Sequence, residues 1–176
     1  MLAFLSLANS VVRAIGQFFC HNDDSVKLSR QLIMNHIRCV ARACVVKDQK
    51  LLLVTNDGTY WYLPGGHQES KESLDTCCTR EVFEETGLKI VCQDIIYCSE
   101  FYDANLKSHK VELIFKALPV GDIPPIWADL DSSVTKARFF SEAEIQTMPV
   151  YPEYLKKAKW LLEDDTSCYQ GYETNE

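Results

Sequence analysis

The 176-residue chain is 47% apolar and 24% charged, which suits one globular domain and argues against a collagenous, disordered or multi-domain chain. Its 25 acids against 18 Lys and Arg give a formal net charge of −7, and with no block of basic residues the chain is not expected to hold duplex nucleic acid by counterion release. The eight cysteines are scattered through apolar segments without a Cys-x-x-Cys spacing, so they read as thiols, not as a disulfide scaffold or a structural zinc site.

Residues 2–20 open the chain with an amphipathic pattern. At ~100° per residue Ser6, Asn9, Ser10, Arg13 and Gln17 share one arc, opposite Phe4, Ala8, Val11, Ile15 and Phe18. Such a helix is too interrupted for a membrane span and lacks the basic lead of a secretory signal, which makes the cytoplasm the expected location. Docking on its own domain or on a second copy in a homodimer is favoured, and membrane association stays open as the lesser alternative. Residues 1–36 are therefore expected to form a helical extension.

From Ile37 the pattern turns to strands. Arg38 to Val46 and Leu51 to Val54 flank the polar Lys47-Asp48-Gln49-Lys50, as in a β-hairpin. Asn56-Asp57-Gly58 is a turn signal, and Thr59 to Leu63 reads as a short aromatic strand ending at Pro64-Gly65-Gly66. Ser70 to Thr86 predicts a helix with Leu74, Cys77, Cys78 and Val82 on its apolar side and Gly87 as its C-terminal cap.

Leu88 to Cys98, Val111 to Leu118 and Val134 to Phe140 predict further strands, joined by loops at Phe101 to His109 and Pro119 to Ser133. Ser141 with Glu144 signs a capping box, and Pro152 to Glu163 predicts another helix. A domain over 37–163 and a flexible tail over 164–176 follow. The order of elements indicates an α/β fold in which helices cover a mixed sheet.

Within the long helix, Glu81, Glu84 and Glu85 project from one side of the final turns, where they repel each other and oppose the helix macrodipole. Local rules broken together are expected where function outweighs stability. A hard divalent cation resolves the conflict, since Mg²⁺ takes carboxylate, water and phosphate oxygens. A solvated acidic helix face is the plainer alternative on these three residues alone.

The wider pattern decides between them. Gly66, Glu72, Arg80, Glu81, Val82, Glu84, Glu85, Gly87 and Leu88 match every fixed position of the Nudix box, and the chain thereby resembles the Nudix hydrolase family. The resemblance implies the Nudix fold, an α/β/α sandwich on a mixed sheet, and hydrolysis of a nucleoside diphosphate linked to another group. It also implies Glu81 and Glu85 as metal ligands, Glu84 as a further ligand or water activator, and the Gly65 carbonyl as a backbone ligand. The expected cofactor is Mg²⁺, with Mn²⁺ as a substitute. Arg80 is expected to brace Glu72 or a glutamate of the metal set, a purely structural role being equally compatible with the spacing.

For the general base, Glu84 and Glu81 are favoured, with Glu112, Glu100 and Asp103 as candidates outside the box. The expected partner is a small-molecule nucleotide, whose base needs a stacking surface from among Tyr60, Trp61, Tyr62, Phe101, Tyr102 and Trp127. Arg38 and Arg42, four apart on one strand, share a face that could meet phosphate oxygens, and His67 follows the glycines closely enough to touch substrate. Two other classes stay open: a nucleotide-binding module without catalysis, and an isoprenoid-diphosphate isomerase or RNA 5′-end pyrophosphohydrolase on the same fold.

Overall fold

The computed structural model describes residues 37–124, 133–157 and 168–175; the expected N-terminal helix, Trp127 and the end of the helix expected from Pro152 lie outside the described residues. The elements are β1 (Arg38–Lys47), β2 (Lys50–Thr55), β3 (Gly65–His67), α1 (Leu74–Thr86), β4 (Lys89–Asp103), β5 (Ser108–Val120), β6 (Lys136–Ser141), α2 (Glu142–Thr147), a 3₁₀ turn (Glu153–Lys156) and β7 (Tyr169–Thr174). The strands make one mixed sheet in the order β6-β2-β1-β5-β4-β7, with β3 also paired to β1. β1 runs parallel to β5 and antiparallel to both β2 and β3, while β4 is antiparallel to β5 and parallel to β7.

The period-2 pattern of β1 explains its central place, because each face feeds a different core. Ala41, Ala43 and Val45 pack with Leu52, Phe115 and Ala117 against Cys77, Cys78 and Val82 of α1. On the opposite face, Cys44 packs with Leu51, Leu53 and Ile114 against Ile145 of α2 and Leu155 of the 3₁₀ turn. The result is the expected sandwich of helix, mixed sheet and helix. The described cysteines are free thiols. No helix among the described residues is long and apolar enough to cross a membrane.

Four expectations shift. The helix begins at Leu74, with Ser73 as its N-cap, and not at Ser70; Glu72 instead turns its carboxylate to the Glu69 N–H and to Arg80, and Lys71 takes a left-handed φ of 69°. Thr59–Leu63 is not a strand. Tyr62 bridges Val54 and Trp61 bridges Val150, a reach too short for a ladder before Pro64.

The loop expected over Phe101–His109 is mostly strand, because Asp103 Oδ1 accepts from the N–H groups of Asn105 and Leu106 and closes a tight turn between β4 and β5. Residues 169–174, expected as flexible tail, form β7 and pair with β4 from Cys98 to Tyr102.

Candidate active site

The site grows from the meeting of β3 with the last turns of α1. Antiparallel pairing sets Gly65 opposite Arg42 and Gly66 opposite Ala41, and the Ala43 N–H donates to Pro64 O at 2.9 Å. Both glycines are required by close approach. Gly65 has a φ of +135° and a Cβ there would stand 2.7 Å from Arg42 Cα; a Cβ at Gly66 would stand 2.6 Å from Glu81 Oε1. The Gly65 N–H donates to Glu85 Oε2 at 2.8 Å, which fixes the buried Glu85 against the backbone.

Arg80 organises the remaining acids. Its Nε and Nη2 donate to the two oxygens of Glu72 at 2.8 and 3.0 Å, while Nη1 donates to Glu81 Oε1 at 2.9 Å and Glu84 Oε2 at 3.0 Å. Both braces foreseen for Arg80 are therefore present at once. The guanidinium holds the Glu72 carboxyl down to about 2. Burial pushes the Glu81 carboxyl up from its ordinary value against the pull of Arg80, and Glu84 and Glu72 add to the push.

One guanidinium thus faces three carboxylates, leaving surplus negative charge beside a half-buried acid. The donors are all hard oxygens, which suits a divalent cation. Among the described residues no three His, Cys, Asp or Glu side chains gather into a closed metal site. The reason is visible in the bonding: Arg80 draws Glu81 and Glu84, and the Gly65 N–H holds Glu85. The room that glycine leaves at position 66 is taken by the Glu81 carboxylate, which a side chain there would displace.

Glu81, Glu85, Gly65 and Gly66 open onto a cavity of about 810 Å³, within the range of small-molecule sites. Arg42 forms its floor. Its Nε donates to Glu112 Oε1 at 3.1 Å and its Nη1 to Leu63 O at 2.8 Å and Gly65 O at 3.0 Å, with the guanidinium 5.4 Å from the Tyr62 ring centroid. Glu112, read from sequence as an acid alone among apolar neighbours, is buried in this ion pair. His67 lines the same cavity; burial, with Lys110, Arg38 and Arg42 nearby, keeps its imidazole below the usual range.

The other sequence candidates divide. Tyr60, Tyr62 and Phe101 line the cavity. Trp61 packs edge-on against Phe140 at 4.6 Å in the second core and does not reach it. Tyr102 alternates to the other face of β4, beside His109 at 6.3 Å. Arg38 lines a smaller adjoining cavity that shares His67 and Gln68.

Glu100 accepts from Tyr169 OH at 3.1 Å and pairs with His109 Nε2 at 2.9 Å, outside the cavity lining. Asp103 reaches the cavity, with one oxygen engaged in the β4–β5 turn. Sequence reasoning missed Lys110, Tyr151 and Asn175, all of which line the cavity. Only Lys110 had a signal, two positions before Glu112 on one strand and so on its face.

Comparison with known proteins bears on the family and the fold. The family model described as NUDIX domain matches residues 37–161. A MutT-like protein of Streptomyces ambofaciens is 33% identical over 89 residues, covering 50% of this chain and 55% of that protein. Diphosphoinositol polyphosphate phosphohydrolase 3-beta of Bos taurus is 30% identical over 120 residues, or 64% and 71% of the two chains.

A NUDIX hydrolase structure from Nitrosomonas europaea superposes with a TM-score of 0.57 at 29% identity, covering 69% of this chain and 85% of that one. An ADP-ribose pyrophosphatase structure from Streptococcus suis shares the fold, with a TM-score of 0.54 at 21% identity over 78% and 98% of the two chains.

Proposed function

The chain belongs to the NUDIX domain family, and from that premise we propose that it is a Mg²⁺-dependent hydrolase cleaving the pyrophosphate linkage of a nucleoside di- or triphosphate or a nucleotide-sugar diphosphate. The observation that carries this reading is the junction of Glu81 and Glu85 with Gly65-Gly66 at the edge of a cavity lined by Tyr60, Tyr62 and Phe101. Hard oxygen donors beside flat aromatic surface support a small-molecule phosphate site there.

Glu81, Glu85 and Glu84, with the Gly65 carbonyl, would hold the cation. When bound, Mg²⁺ (or Mn²⁺ in its place) supplies positive charge to the pyrophosphate and acidity to a water. Arg80 restrains Glu81 and Glu84 through two of its hydrogen bonds and, through Glu72, ties them to the turn before α1. Arg42 fixes the Leu63 and Gly65 carbonyls, so the backbone next to the reacting phosphate is held in place.

Glu84 is the base this geometry supports best. It stands at the rim, outside the cavity lining that Glu81 and Glu85 share, and binds Arg80 through Oε2; its side chain is the most open of the acids on Arg80, at 38% exposure against 17% for Glu81. Among the outside candidates, Glu112 is committed to Arg42, Glu100 to His109 and Tyr169, and Asp103 to the β4–β5 turn.

The test is turnover of a panel comprising GTP, ADP-ribose, a UDP-sugar and a diphosphoinositol polyphosphate, with product identification. Hydrolysis of a nucleotide with Mg²⁺, lost on chelation and reduced ~10²-fold or more by Glu81→Gln or Glu85→Gln, is expected. Tight nucleotide binding without turnover would instead identify a binding module, and turnover of no panel member would refute the reading.

A further inference from the structure

We infer that strand β7, with the Asn175 that follows it, forms a selectivity wall of the pocket that admits a flat ring bearing hydrogen-bond donors, such as a nucleobase, and turns away a ring crowded with phosphates. This inference rests on the hydrolase reading above and addresses the part of the substrate beyond the pyrophosphate.

The family match ends at residue 161, whereas β7 spans Tyr169–Thr174. Among the described residues of this segment Asn175 lines the cavity, so the strand serves to carry that residue to a pocket whose other walls lie within the matched domain. Its register sets Glu173 opposite Phe101, and side chains paired across adjacent strands point to the same face, here the one that carries the cavity. Asn175, two residues on, keeps that face. Its Nδ2 donates to Asp103 Oδ1 at 3.3 Å, its Oδ1 accepts from the Ala104 N–H at 2.8 Å, and it lines the cavity.

Tyr151 stands between this wall and the aromatic lining. Its ring meets Phe101 edge-on with centroids 5.6 Å apart and Tyr60 at 6.3 Å. Its hydroxyl is buried without a hydrogen-bond partner of good geometry, and burial together with the charges of Glu173 and Glu112 holds the phenol above its ordinary value. A buried hydroxyl in that state gains from a ligand that bonds to it.

Charge completes the argument. Asp103 and Glu112 line this end of the cavity, and Glu173 adds negative potential from beside Tyr151, outside the lining itself. Against them stand Arg42, already paired with Glu112, and Lys110, which lies 5.8 Å from the Phe101 ring centroid. Hydrogen bonds held by the turn keep the Asp103 carboxyl below its ordinary value, so it offers acceptors at neutral pH. Such a wall rewards N–H and O–H donors on a stacked ring. It penalises phosphate groups, which need cations and fixed donors.

The experiment measures kcat and KM on GTP, ADP-ribose, a UDP-sugar and a diphosphoinositol polyphosphate for the wild-type chain, Asn175→Ala, Glu173→Gln and a chain lacking residues 169–175, with thermal melting of each. Asn175→Ala should raise KM about 5- to 10-fold on the preferred nucleotide with little loss of kcat, the size of one hydrogen bond, while its melting temperature stays with the wild type. Glu173→Gln should shift kcat/KM toward the diphosphoinositol polyphosphate by about 3-fold or more, as expected when one repulsive charge is removed.

If deletion of 169–175 unfolds the protein, the two point variants decide. Should the wild type hydrolyse a nucleotide while both point variants keep its KM and its ranking of substrates, the wall is refuted and the hydrolase reading stands. Should the wild type hydrolyse nothing on the panel, the hydrolase reading itself has failed.

Discussion

Gly66→Ala tests the geometry of the site in a way that separates it from stability. A methyl group at this position would lie 2.6 Å from Glu81 Oε1 and nearer still to Oε2, while meeting no backbone atom among its three nearest neighbours. Restoring an ordinary contact of 3.4 Å to the nearer oxygen requires the carboxylate to retreat by about 1 Å. Glu81 is at the end of a flexible side chain, so it can swing away without moving the sheet or α1. The fold should tolerate the change: thermal melting should shift by no more than about 3 °C, the range of a sub-kcal/mol perturbation in a domain of this size.

Activity should not tolerate it, because misplacing a reacting group by about 1 Å costs on the order of 10²-fold. The paired measurement is kcat/KM at saturating Mg²⁺ and a melting curve on the same preparation. Gly65→Ala supplies the contrast, since φ is +135° there and the clash is with the backbone of β1; it should lose stability and activity together. Near-wild-type turnover in a folded Gly66→Ala protein would show that the observed position of Glu81 is not the working one, and the assignment of the site would fall with it.

Three further outcomes are expected. Glu84→Gln should lower kcat and flatten the acidic limb of the pH–rate profile with little change in the Mg²⁺ concentration required; a matching loss of metal affinity would make Glu84 a ligand and move the base elsewhere. Glu112→Ala leaves the Arg42 guanidinium on the pocket floor without its counter-charge and should cost about 3 kcal/mol in urea unfolding, whereas an unchanged midpoint would show that the ion pair contributes little. The Glu72 carboxyl drops from its ordinary 4.5 to about 2 on folding, so over that interval the unfolded chain binds more protons. Its stabilising contribution is complete above about pH 5 and is lost as pH falls from about 4.5 toward 2, a slope that Glu72→Gln should flatten in acid denaturation.

The parts of this fold visible in the sequence are those written in local chemistry. The α1 core face, its Gly87 cap and the Ser141/Glu144 capping box follow from periodicity and from the needs of unpaired helix-end groups; the structure has Gly87 at a φ of 66° with its N–H on Phe83 O, and both halves of the box in place. β7 could not be read the same way. Tyr169-Gln170-Gly171-Tyr172-Glu173-Thr174 is a polar edge strand with an interior glycine, and its order comes from pairing with β4, about seventy residues earlier.

The extension of β4 through Phe101 was hidden for a related reason, in that its signal was the Asp103 turn and not any apolar alternation. In the site, the box residues were legible because their spacing is fixed within one helix and the turn before it. Tyr151 and Asn175 were not, since only the closed sheet brings them to Phe101 and Asp103. Arg42 was singled out as able to meet phosphate and Glu112 as a candidate base, and the structure joins them to each other across two neighbouring strands.

That junction has a kinetic side. β1 and β5 lie side by side in parallel, and the Arg42–Glu112 bond closes a loop of 70 residues. Parallel strands so far apart along the chain cannot zip from a local hairpin; they meet only after a large loss of chain entropy, which places this domain among those of high contact order that fold in milliseconds to seconds. The box itself, Gly66 to Leu88, is compact in sequence, but a 13-residue helix whose acids repel one another and oppose its dipole is marginal alone, so α1 gains its stability from the sheet it packs on. The pocket floor beneath it is a late event. The acids of α1 thus acquire their working arrangement only once β1 and β5 have met.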